Sequence, residues 1–355
     1  MPAAGSAHAL AERTLALVDI PSVSGSEAAV TDYVRSSVGL PTVLDDGESI
    51  LVAARAGRPL VLLAGHTDTV PAQENLPGSL ADGAVIGLGA SDMKGGLAVM
   101  IELANWASTA ELAYDLACLF FPREELGPPE NPLPGVFAAT SLVDEAALVV
   151  CLEPTDNTLQ LGCLGNLTAR VVFEGRSAHS ARPWLGVNAV GVALEGLCGV
   201  LALEPRDVDI EGLLFREVLS VTEIHGGIAS NVIPARVDAI LNFRYAPDRT
   251  PDDAVGRVRE LVGRDVEVLA NSPPAHVPSP DSPLVAGLRA AGEFDVEAKQ
   301  AWTNVADFAA RGLDAVNLGP GATRFAHTAD ERVEIAELER TFIALQRFLA
   351  GEAVR

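Results

Sequence analysis

Three apolar, strand-like runs in this chain end in side chains of the kind that bind metal ions. LVLLAGHTDTVP contains His66 and Asp68, YDLACLFFPREE ends in Glu124 and Glu125, and ALVVCLEP reaches Glu153. In a parallel α/β sheet the carboxyl ends of neighbouring strands lie along one edge, and ligand sites form there. These side chains are therefore predicted to converge, although they are far apart in the sequence.

Two further candidates lie outside these runs. Asp92 occurs in GASDMKGG, on a predicted connecting loop, and His327 occurs in RFAHTADE near the C-terminus. Together with the strand-end residues they supply enough imidazole and carboxylate groups for a centre of two metal ions.

Composition limits the class of protein. The chain has 355 residues, of which 48% are hydrophobic and 21% charged, so it can bury a large core and has room for about two domains. It lacks both a secretory signal pattern and a long apolar run, so we expect a cytoplasmic protein. The cysteines are scattered without CxxC spacing and are predicted to be reduced; they are Cys118, Cys151, Cys163 and Cys198.

The net charge of −23, from 25 basic and 48 acidic residues, argues against nucleic acid or an anionic membrane as a partner. The expected partner is a small molecule. If that molecule is itself anionic, a local arginine or the metal pair must attract it.

Hydrophobic periodicity predicts an α/β fold with a largely parallel sheet. Residues 9–19 and 95–108 fit helices, and residues 60–66 fit a buried strand. Alternation of this kind is typical of a parallel sheet covered by helices. We assign residues 1–166 and 279–355 to this catalytic domain.

The pattern changes near residue 167. A half-exposed strand, a helix, two strands, a helix and a short strand follow, and the proline-rich NSPPAHVPSPDSP marks the return to the first pattern. The order β-α-β-β-α-β is that of a ferredoxin-like α+β domain. Residues 167–278 are therefore predicted to form a second domain inserted into the first.

The motifs together carry a family resemblance. GHTDTVP, ASDMKGG, the paired glutamates, LEPTD, GRSAHSARPWLGVNA, SNVIP and AHTADE occur in the order seen in the di-zinc aminoacylase and metallopeptidase family. SDMKGG, LNFRYAPDRT and AVNLGPG are most similar to its actinobacterial-type desuccinylases. The resemblance implies a metal-dependent hydrolase of linear amides and a homodimer formed through the inserted lid domain.

The same resemblance implies two metal sites that share one carboxylate. His66, Asp92 and Glu153 would hold the first ion, and Asp92, Glu125 and His327 the second. Mixed imidazole and carboxylate ligands suit zinc, with cobalt or manganese as alternatives. For Asp92 taken alone, the alternative is an N-cap of the following helix.

Three residues are assigned catalytic roles. Asp68 would orient the imidazole of His66 from behind. Adjacent residues of an extended segment point in opposite directions, so Glu124 is expected to act differently from Glu125. The resemblance implies that Glu124 is the general base. By resemblance, His179 reaches across the dimer interface to stabilise the oxyanion; its alternative is a structural helix cap.

The predicted substrate contacts rest mostly on the resemblance. They are Arg244, Asn231, Thr303, Asn304, Gly319 and Gly321. Arg244 could bind a carboxylate or form an ordinary cross-strand ion pair. Asn304 stands in WTN, where the most similar relatives have WTD, so a carboxylate of the pocket is lost.

The resemblance implies a reaction that converts N-succinyl-LL-2,6-diaminopimelate and water to succinate and LL-2,6-diaminopimelate, in lysine biosynthesis. Deacetylation of N-acetylornithine, or cleavage of another N-acyl amino acid or dipeptide, is the enzymatic alternative. A non-catalytic, metal-stabilised binding protein is the alternative from a different class. Glu124 argues against it, because that residue is not needed to hold metal.

Overall fold

Residues 6–127 and 130–352 are described by a computed structural model, in which the chain divides into two units. The first unit contains the residues up to Leu161, Pro278–Glu297, and the residues from Asp307 onward; the second contains Gly162–Val277 and Ala298–Ala306. The outermost residues of the predicted catalytic domain, 1–5 and 353–355, lie outside the described part. The segment Ala298–Ala306, which carries Thr303 and Asn304, belongs to the second unit.

The regular elements follow in chain order. The helices are α1 (Ala7–Val18), α2 (Ala28–Ser37), α3 (Gly95–Ala107), α4 (Leu133–Ala139), α5 (Ala189–Leu201), α6 (Pro251–Val262), α7 (Pro283–Gly292), α8 (Val305–Ala309) and α9 (Ile335–Ala350). The strands are β1 (Thr42–Asp45), β2 (Ile50–Ala54), β3 (Leu60–His66), β4 (Ser79–Ala81), β5 (Ala84–Ile86), β6 (Asp115–Phe121), β7 (Ala146–Cys151), β8 (Leu159–Leu161), β9 (Gly165–Glu174), β10 (Arg206–Ile210), β11 (Leu213–Gly226), β12 (Arg236–Tyr245), β13 (Glu267–Ser272), β14 (Val296–Ala298), β15 (Ala315–Asn317) and β16 (Arg332–Glu334).

The first unit is built on an eight-stranded sheet in the order β1-β2-β6-β3-β7-β15-β8-β14. Its centre, β6-β3-β7-β15, is parallel, which confirms the predicted α/β class. The strands outside this centre make the sheet mixed, because β1, β2 and β8 pair antiparallel with their inner neighbours. A second, three-stranded sheet has the order β16-β5-β4.

Burial on both faces explains the uninterrupted apolar runs of the central strands. Every residue of β3 and β6 is buried, as expected for strands at the centre of a covered parallel sheet. Helices α1, α3 and α9 pack against one another. Gly96 lies where α3 meets the residues after β7, and a Cβ there would be 2.4 Å from the carbonyl oxygen of Leu152. Only glycine permits this approach.

The second unit contains one antiparallel sheet in the order β10-β11-β12-β9-β13. Helices α5 and α6 pack on it, and the alternately buried residues of β9 and β12 form its core with them. Apart from β10, the strands and helices from β9 to β13 follow the predicted β-α-β-β-α-β order. The edge strand β10 was not predicted, because RDVDI has only two apolar residues and is held as a strand by pairing with β11.

Two further predictions concern the state of the cysteines and the presence of membrane-spanning segments. All four cysteines are free, with Cys198 exposed and the other three buried. Within the described ranges, none of the helices combines the length and the apolar character needed to cross a bilayer.

The two helical glycines Gly96 and Gly256 predict opposite responses to alanine. We expect Gly96→Ala to lower the thermal midpoint, because its new Cβ would collide with the Leu152 carbonyl. Gly256→Ala in α6 is the matched control, since no atom lies within 4 Å of that Cβ position. Alanine is the better helix former by about 1 kcal/mol, so the control should be stabilised. Calorimetry of both variants tests this, and an unchanged midpoint for Gly96→Ala would contradict the packing described.

Candidate metal centre

The parallel register brings the ends of three strands to one level. His66, the last residue of β3, pairs with Phe121, the last residue of β6, and Ala64 pairs with Cys151 at the end of β7. The glutamate pair follows β6 within a single 3₁₀ turn, and Glu153 follows β7 by two residues. The edge predicted from the strand pattern therefore carries these side chains.

The structure brings all five predicted metal ligands together. Ligand atoms lie within 4.8 Å of one another in three groups: His66, Glu124 and Glu125; His66, Asp92 and Glu153; and Asp92, Glu125 and His327. The second and third groups have the composition of the two predicted sites, and Asp92 is common to both.

The two carboxylate oxygens of Asp92 face different imidazoles. Oδ1 lies 3.0 Å from Nε2 of His66, and Oδ2 lies 3.6 Å from Nε2 of His327, which is also 2.9 Å from Oε1 of Glu125. This arrangement suits a carboxylate that bridges two ions. The alternative reading of Asp92 as a helix cap is not realised, because α3 has Lys94 at its N-cap and no side-chain cap bond.

Carboxylates outnumber cations in this site. Asp92, Glu124, Glu125 and Glu153 surround two imidazoles, and Glu153 is buried. Burial raises the pKa of Glu124 well above its usual value, and the neighbouring acids raise it further. Close carboxylates of this kind are stabilised by divalent cations, and the mixed oxygen and nitrogen donors match the ligands of zinc and related metals. The residues present therefore fit a pair of metal ions.

Both imidazoles favour their protonated form in the metal-free protein. The hydrogen bond with Glu125 raises the pKa of His327 to about 9, although partial burial opposes this. Burial alone would lower the pKa of His66, but its interactions with Asp68 and Asp92 raise that pKa well above 6.5. A metal ion must displace these protons to bind the rings.

Asp68 organises two parts of the site. Its oxygens accept the backbone N–H groups of Glu124 at 3.0 Å and Glu125 at 3.1 Å, and the hydroxyl of Ser24 at 2.7 Å. Nδ1 of His66 lies 3.1 Å from the Asp68 carbonyl oxygen and 3.3 Å from its carboxylate. The residue is completely buried, and despite burial its interaction with His66 holds its pKa at about 2.

One premise about the glutamate pair was wrong. Glu124 and Glu125 do not lie on an extended segment; they begin a 3₁₀ turn after Arg123, whose φ is +61°. The turn forms because Asp68 accepts its first N–H groups, while the Arg123 guanidinium donates to both carboxylate oxygens of Glu48. The two side chains still differ. Glu125 contacts His327, whereas Glu124 is absent from the group of ligand atoms that contains His327.

His179 and Asn231 lie on neighbouring segments of the second unit. His179 forms a backbone bridge with Val232, and both predicted residues are exposed. Nδ1 of His179 accepts the N–H of Ala181 at 3.0 Å, so the proton of a neutral ring sits on Nε2 and can be donated. The helix-cap alternative is not realised, because Asn188 caps α5.

Arg244 is half-buried on β12 of the same unit. Its Nε donates to Oδ1 of Asn242 at 3.0 Å, and across the described residues it has no carboxylate within ion-pair distance. The cross-strand ion pair considered as an alternative is therefore absent there. Burial lowers the pKa of Arg244. Thr303 and Asn304, in the same unit, are both buried.

The predicted glycine donors are already used within the first unit. The N–H of Gly319 donates to Oγ1 of Thr155 at 3.1 Å, and the N–H of Gly321 donates to Oε2 of Glu337 at 2.9 Å. A Cβ on Gly319 would lie 2.5 Å from the carbonyl oxygen of Glu153. Gly319 therefore supports the segment that carries a predicted ligand, and substrate binding by both glycines stays a prediction.

Sequence reasoning assigned no role to Glu331, the last residue of AHTADE. In the structure its buried carboxylate accepts backbone N–H groups from the loop that carries Asp92. An acidic residue four positions after His327 was the only available signal. Acids are usually exposed, so sequence alone favoured a solvated position.

The sequence profile of peptidase family M20/M25/M40 matches residues 62–351. The chain belongs to this family. The family match, the grouped metal ligands and the similarity to desuccinylases identify it as a metal-dependent hydrolase of amide bonds.

Relatives of similar length occur in two actinobacteria. The putative succinyl-diaminopimelate desuccinylase DapE of Mycobacterium tuberculosis is 37% identical over 350 residues, covering 96% of this chain and 98% of its own. The succinyl-diaminopimelate desuccinylase of Corynebacterium glutamicum is 36% identical over 350 residues, covering 95% of each chain.

Solved structures of family M20 share the fold. A metallo-carboxypeptidase from Sulfolobus solfataricus has a TM-score of 0.76 at 17% identity, covering 96% of this chain and 98% of its own. A Bacillus subtilis protein described as a dinuclear metal-binding peptidase of the family has a TM-score of 0.64 at 14% identity, covering 98% and 99%.

The raised pKa values of His66 and His327 predict proton release on metal binding. Near pH 7 both rings should be protonated in the metal-free protein, so loading with zinc should release about two protons from them. Apparent zinc affinity should rise as the pH increases toward 9. Calorimetry in buffers of different ionisation enthalpy measures the release. His327→Ala should release about one proton fewer, and His225→Ala, outside the site, should match the parent; equal release in all three would refute the assignment.

Proposed function

We propose that this M20 family member hydrolyses N-succinyl-LL-2,6-diaminopimelate to succinate and LL-2,6-diaminopimelate. The observation that carries this proposal is the 36–37% identity to desuccinylases along nearly the whole chain. The site supports the reaction class, because a carboxylate shared by two histidine-containing groups lies beside a further glutamate, Glu124. We place the reaction in lysine biosynthesis.

The proposed cofactors are two divalent ions, zinc first, with cobalt or manganese as substitutes. When bound, such ions polarise a scissile carbonyl and acidify water. We assign one ion to His66, Asp92 and Glu153, and the other to Asp92, Glu125 and His327. The grouping of these side chains supports the assignment.

Glu124 is the proposed general base and acid. It takes a proton from the attacking water and delivers it to the leaving amine, so that the C–N bond breaks as the free amine forms. Burial and the neighbouring acids raise the pKa of Glu124 in the metal-free protein. Bound cations would favour the carboxylate, which is the form that accepts the first proton. His179, with its donor at Nε2, is proposed to stabilise the developing oxyanion.

Other acyl groups remain the alternative within this reaction class. By resemblance, Asn304 stands where similar desuccinylases have an acidic residue, and a probable carboxypeptidase of Emericella nidulans is 28% identical over 385 residues. N-acetylornithine and dipeptides are therefore the competing substrates. A non-catalytic binding protein is disfavoured, because Glu124 belongs to neither proposed ligand set.

Replacing Glu124 by Gln should separate catalysis from metal binding. We expect zinc-loaded enzyme to release succinate, and Glu124→Gln to lower kcat by about 10³-fold with unchanged zinc content, since only the proton carrier is lost. Glu130→Gln, at an exposed position of the same loop, is the control. Unchanged turnover in Glu124→Gln would refute the assigned role. Rapid acetate release from N-acetylornithine, with no succinate release, would reassign the substrate.

Arg244 is proposed to bind a substrate carboxylate. The chain carries a net charge of −23, yet this half-buried guanidinium has no acidic partner among the described residues. Asn242 occupies its Nε, which leaves the two Nη groups to donate in parallel to one carboxylate. Such a cation meets the need for local attraction of an anionic substrate.

Arg244→Met should therefore raise KM about 10-fold to 100-fold, with a smaller change in kcat, because one bidentate charge-assisted contact is removed. Arg170→Met is the matched control: it lies on the same sheet, but its guanidinium is paired with Glu267. Steady-state kinetics with the carboxylate substrate and its carboxamide analogue measures the effect. Equal KM values for Arg244→Met and the control would exclude this contact.

We also propose a homodimer formed through the second unit. Its helix α5 exposes a stripe of apolar side chains: Val190, Leu194 and Leu201 are 40%, 55% and 64% exposed, and the nearby Trp184 is 73% exposed. Apolar side chains so exposed on one face are typical of an interaction surface. A second copy would cover the stripe and place His179 for action across the interface.

Leu194→Glu should convert the dimer to a monomer in light scattering and lower kcat, because a charge would be buried at the interface. Leu214→Glu, at a 51% exposed position of β11, is the control and should stay dimeric. A dimeric Leu194→Glu variant would refute this interface, and a fully active monomer would refute the role of His179 across it.

A cytoplasmic location is proposed from the free thiols. None of the four cysteines forms a disulfide, although secreted proteins commonly use such bonds. The diaminopimelate reaction proposed above is also one of cytoplasmic biosynthesis.

A further inference from the structure

Glu331 forms a dense set of hydrogen bonds with the loop that carries Asp92. Its Oε2 accepts the N–H of Gly89 at 2.9 Å, and its Oε1 accepts the N–H groups of Ser91 at 3.2 Å and Asp92 at 3.0 Å. Its backbone carbonyl accepts the N–H of Gly87 at 2.9 Å. One residue therefore binds the loop at four backbone positions.

The N–H groups of Gly89, Ser91 and Asp92 precede α3 and do not form hydrogen bonds within that helix. Asp92 has φ −122° and ψ 94°, outside the helical range, and α3 begins only at Gly95. Ser91 is completely buried, so water cannot replace a lost acceptor there. Buried backbone donors are almost always paired, and the loop keeps this conformation only with an acceptor at the position of Glu331.

Glu331 also belongs to the segment that carries His327, four residues earlier. The bonds to Gly89, Ser91 and Asp92 therefore connect two predicted ligands of one ion, Asp92 and His327, through a single side chain. Gln73 adds to this by donating to the carbonyl oxygen of His327 at 2.9 Å.

The carboxylate of Glu331 holds residues that carry predicted metal ligands, but it is not itself a predicted metal ligand. Among the described residues, the groups able to hold a metal do not include Glu331, whose oxygens are occupied by N–H donors. A buried cation, Lys94, lies near enough to attract it electrostatically and donates to the carbonyl oxygen of Ile20 at 2.8 Å. Lys94 and the backbone donors therefore favour a charged Glu331, although burial raises its pKa to about 7.

We propose that Glu331 is a positioning residue that holds Asp92 and His327 in place for the ion bound by Asp92, Glu125 and His327. Loss of the Glu331 carboxylate should selectively lower the binding affinity for that ion. The ion held by His66, Asp92 and Glu153 should be affected less, because His66 and Glu153 are carried by β3 and the segment after β7.

The test is zinc titration of the full-length, metal-free protein in competition with a chromogenic chelator. Glu331→Gln keeps the size of the side chain but turns an NH₂ group toward backbone donors. The zinc affinity that His327→Ala also reduces should therefore fall by about 10-fold to 100-fold in Glu331→Gln. The other zinc affinity should change by less than about 3-fold. Because the readout is metal affinity, the result does not depend on which acyl group the enzyme removes.

Glu337→Gln is the matched control, since Glu337 also accepts a backbone N–H, that of Gly321, but does not contact the Asp92 loop. Its two zinc affinities should stay within about 3-fold of the parent. The proposal is overturned if folded Glu331→Gln keeps both zinc affinities near those of the parent, even if the thermal midpoint of the metal-free protein falls. It is also overturned if Glu337→Gln shows the same loss of zinc affinity.

Glu331→Asp provides the second variant if Glu331→Gln does not fold. It retains the charge but withdraws the carboxylate by one methylene, so the zinc affinity that depends on His327 should fall by an intermediate amount. Hydrogen exchange of residues 87–92 in the metal-free protein should become faster in the same variant. Parent-like zinc affinity in Glu331→Asp combined with faster exchange would show a role in loop stability alone and would overturn the proposal.

Discussion

The site depends on the parallel pairing of β3 with β6 and β7. Their backbone hydrogen bonds hold His66, the turn after β6 and the segment of Glu153 at one edge of the sheet. A slip of one residue in β3 would turn His66 to the opposite face, because side chains alternate along a strand. Close packing on both faces of β3 and β6 opposes such a slip, because it would exchange side chains of different size.

Acidic side chains around this edge serve two different purposes. Asp68 and Glu331 are buried and accept backbone N–H groups, so they shape the turn of Glu124 and the loop of Asp92. Asp92 and Glu125 instead face imidazoles and each other. The first kind of carboxylate is stabilised by peptide donors, whereas the second requires a cation. Net acidity alone does not distinguish them; hydrogen-bond partners do.

Much of the fold could be predicted from local patterns. Continuous apolar runs located β3, β6 and β7, alternation located β9 and β12, and amphipathic periodicity located α1 and α6, because each pattern follows from burial of one or two faces. The edge strand β10 was not predicted, since its conformation depends on pairing with β11. The extended geometry predicted for Glu124 and Glu125 was wrong, because Asp68, far earlier in the chain, caps their turn.

The sequence by itself determined which ligand types exist, their order and the strands that carry them, because side-chain chemistry and strand periodicity are local properties. Tertiary structure alone decided that the two oxygens of Asp92 face different histidines, that Arg244 lacks an acidic partner within the described residues, and that Glu331 holds the Asp92 loop. Each of these facts depends on distances between segments far apart in the chain. Such distances are set by backbone pairing and close packing, which a single sequence does not display.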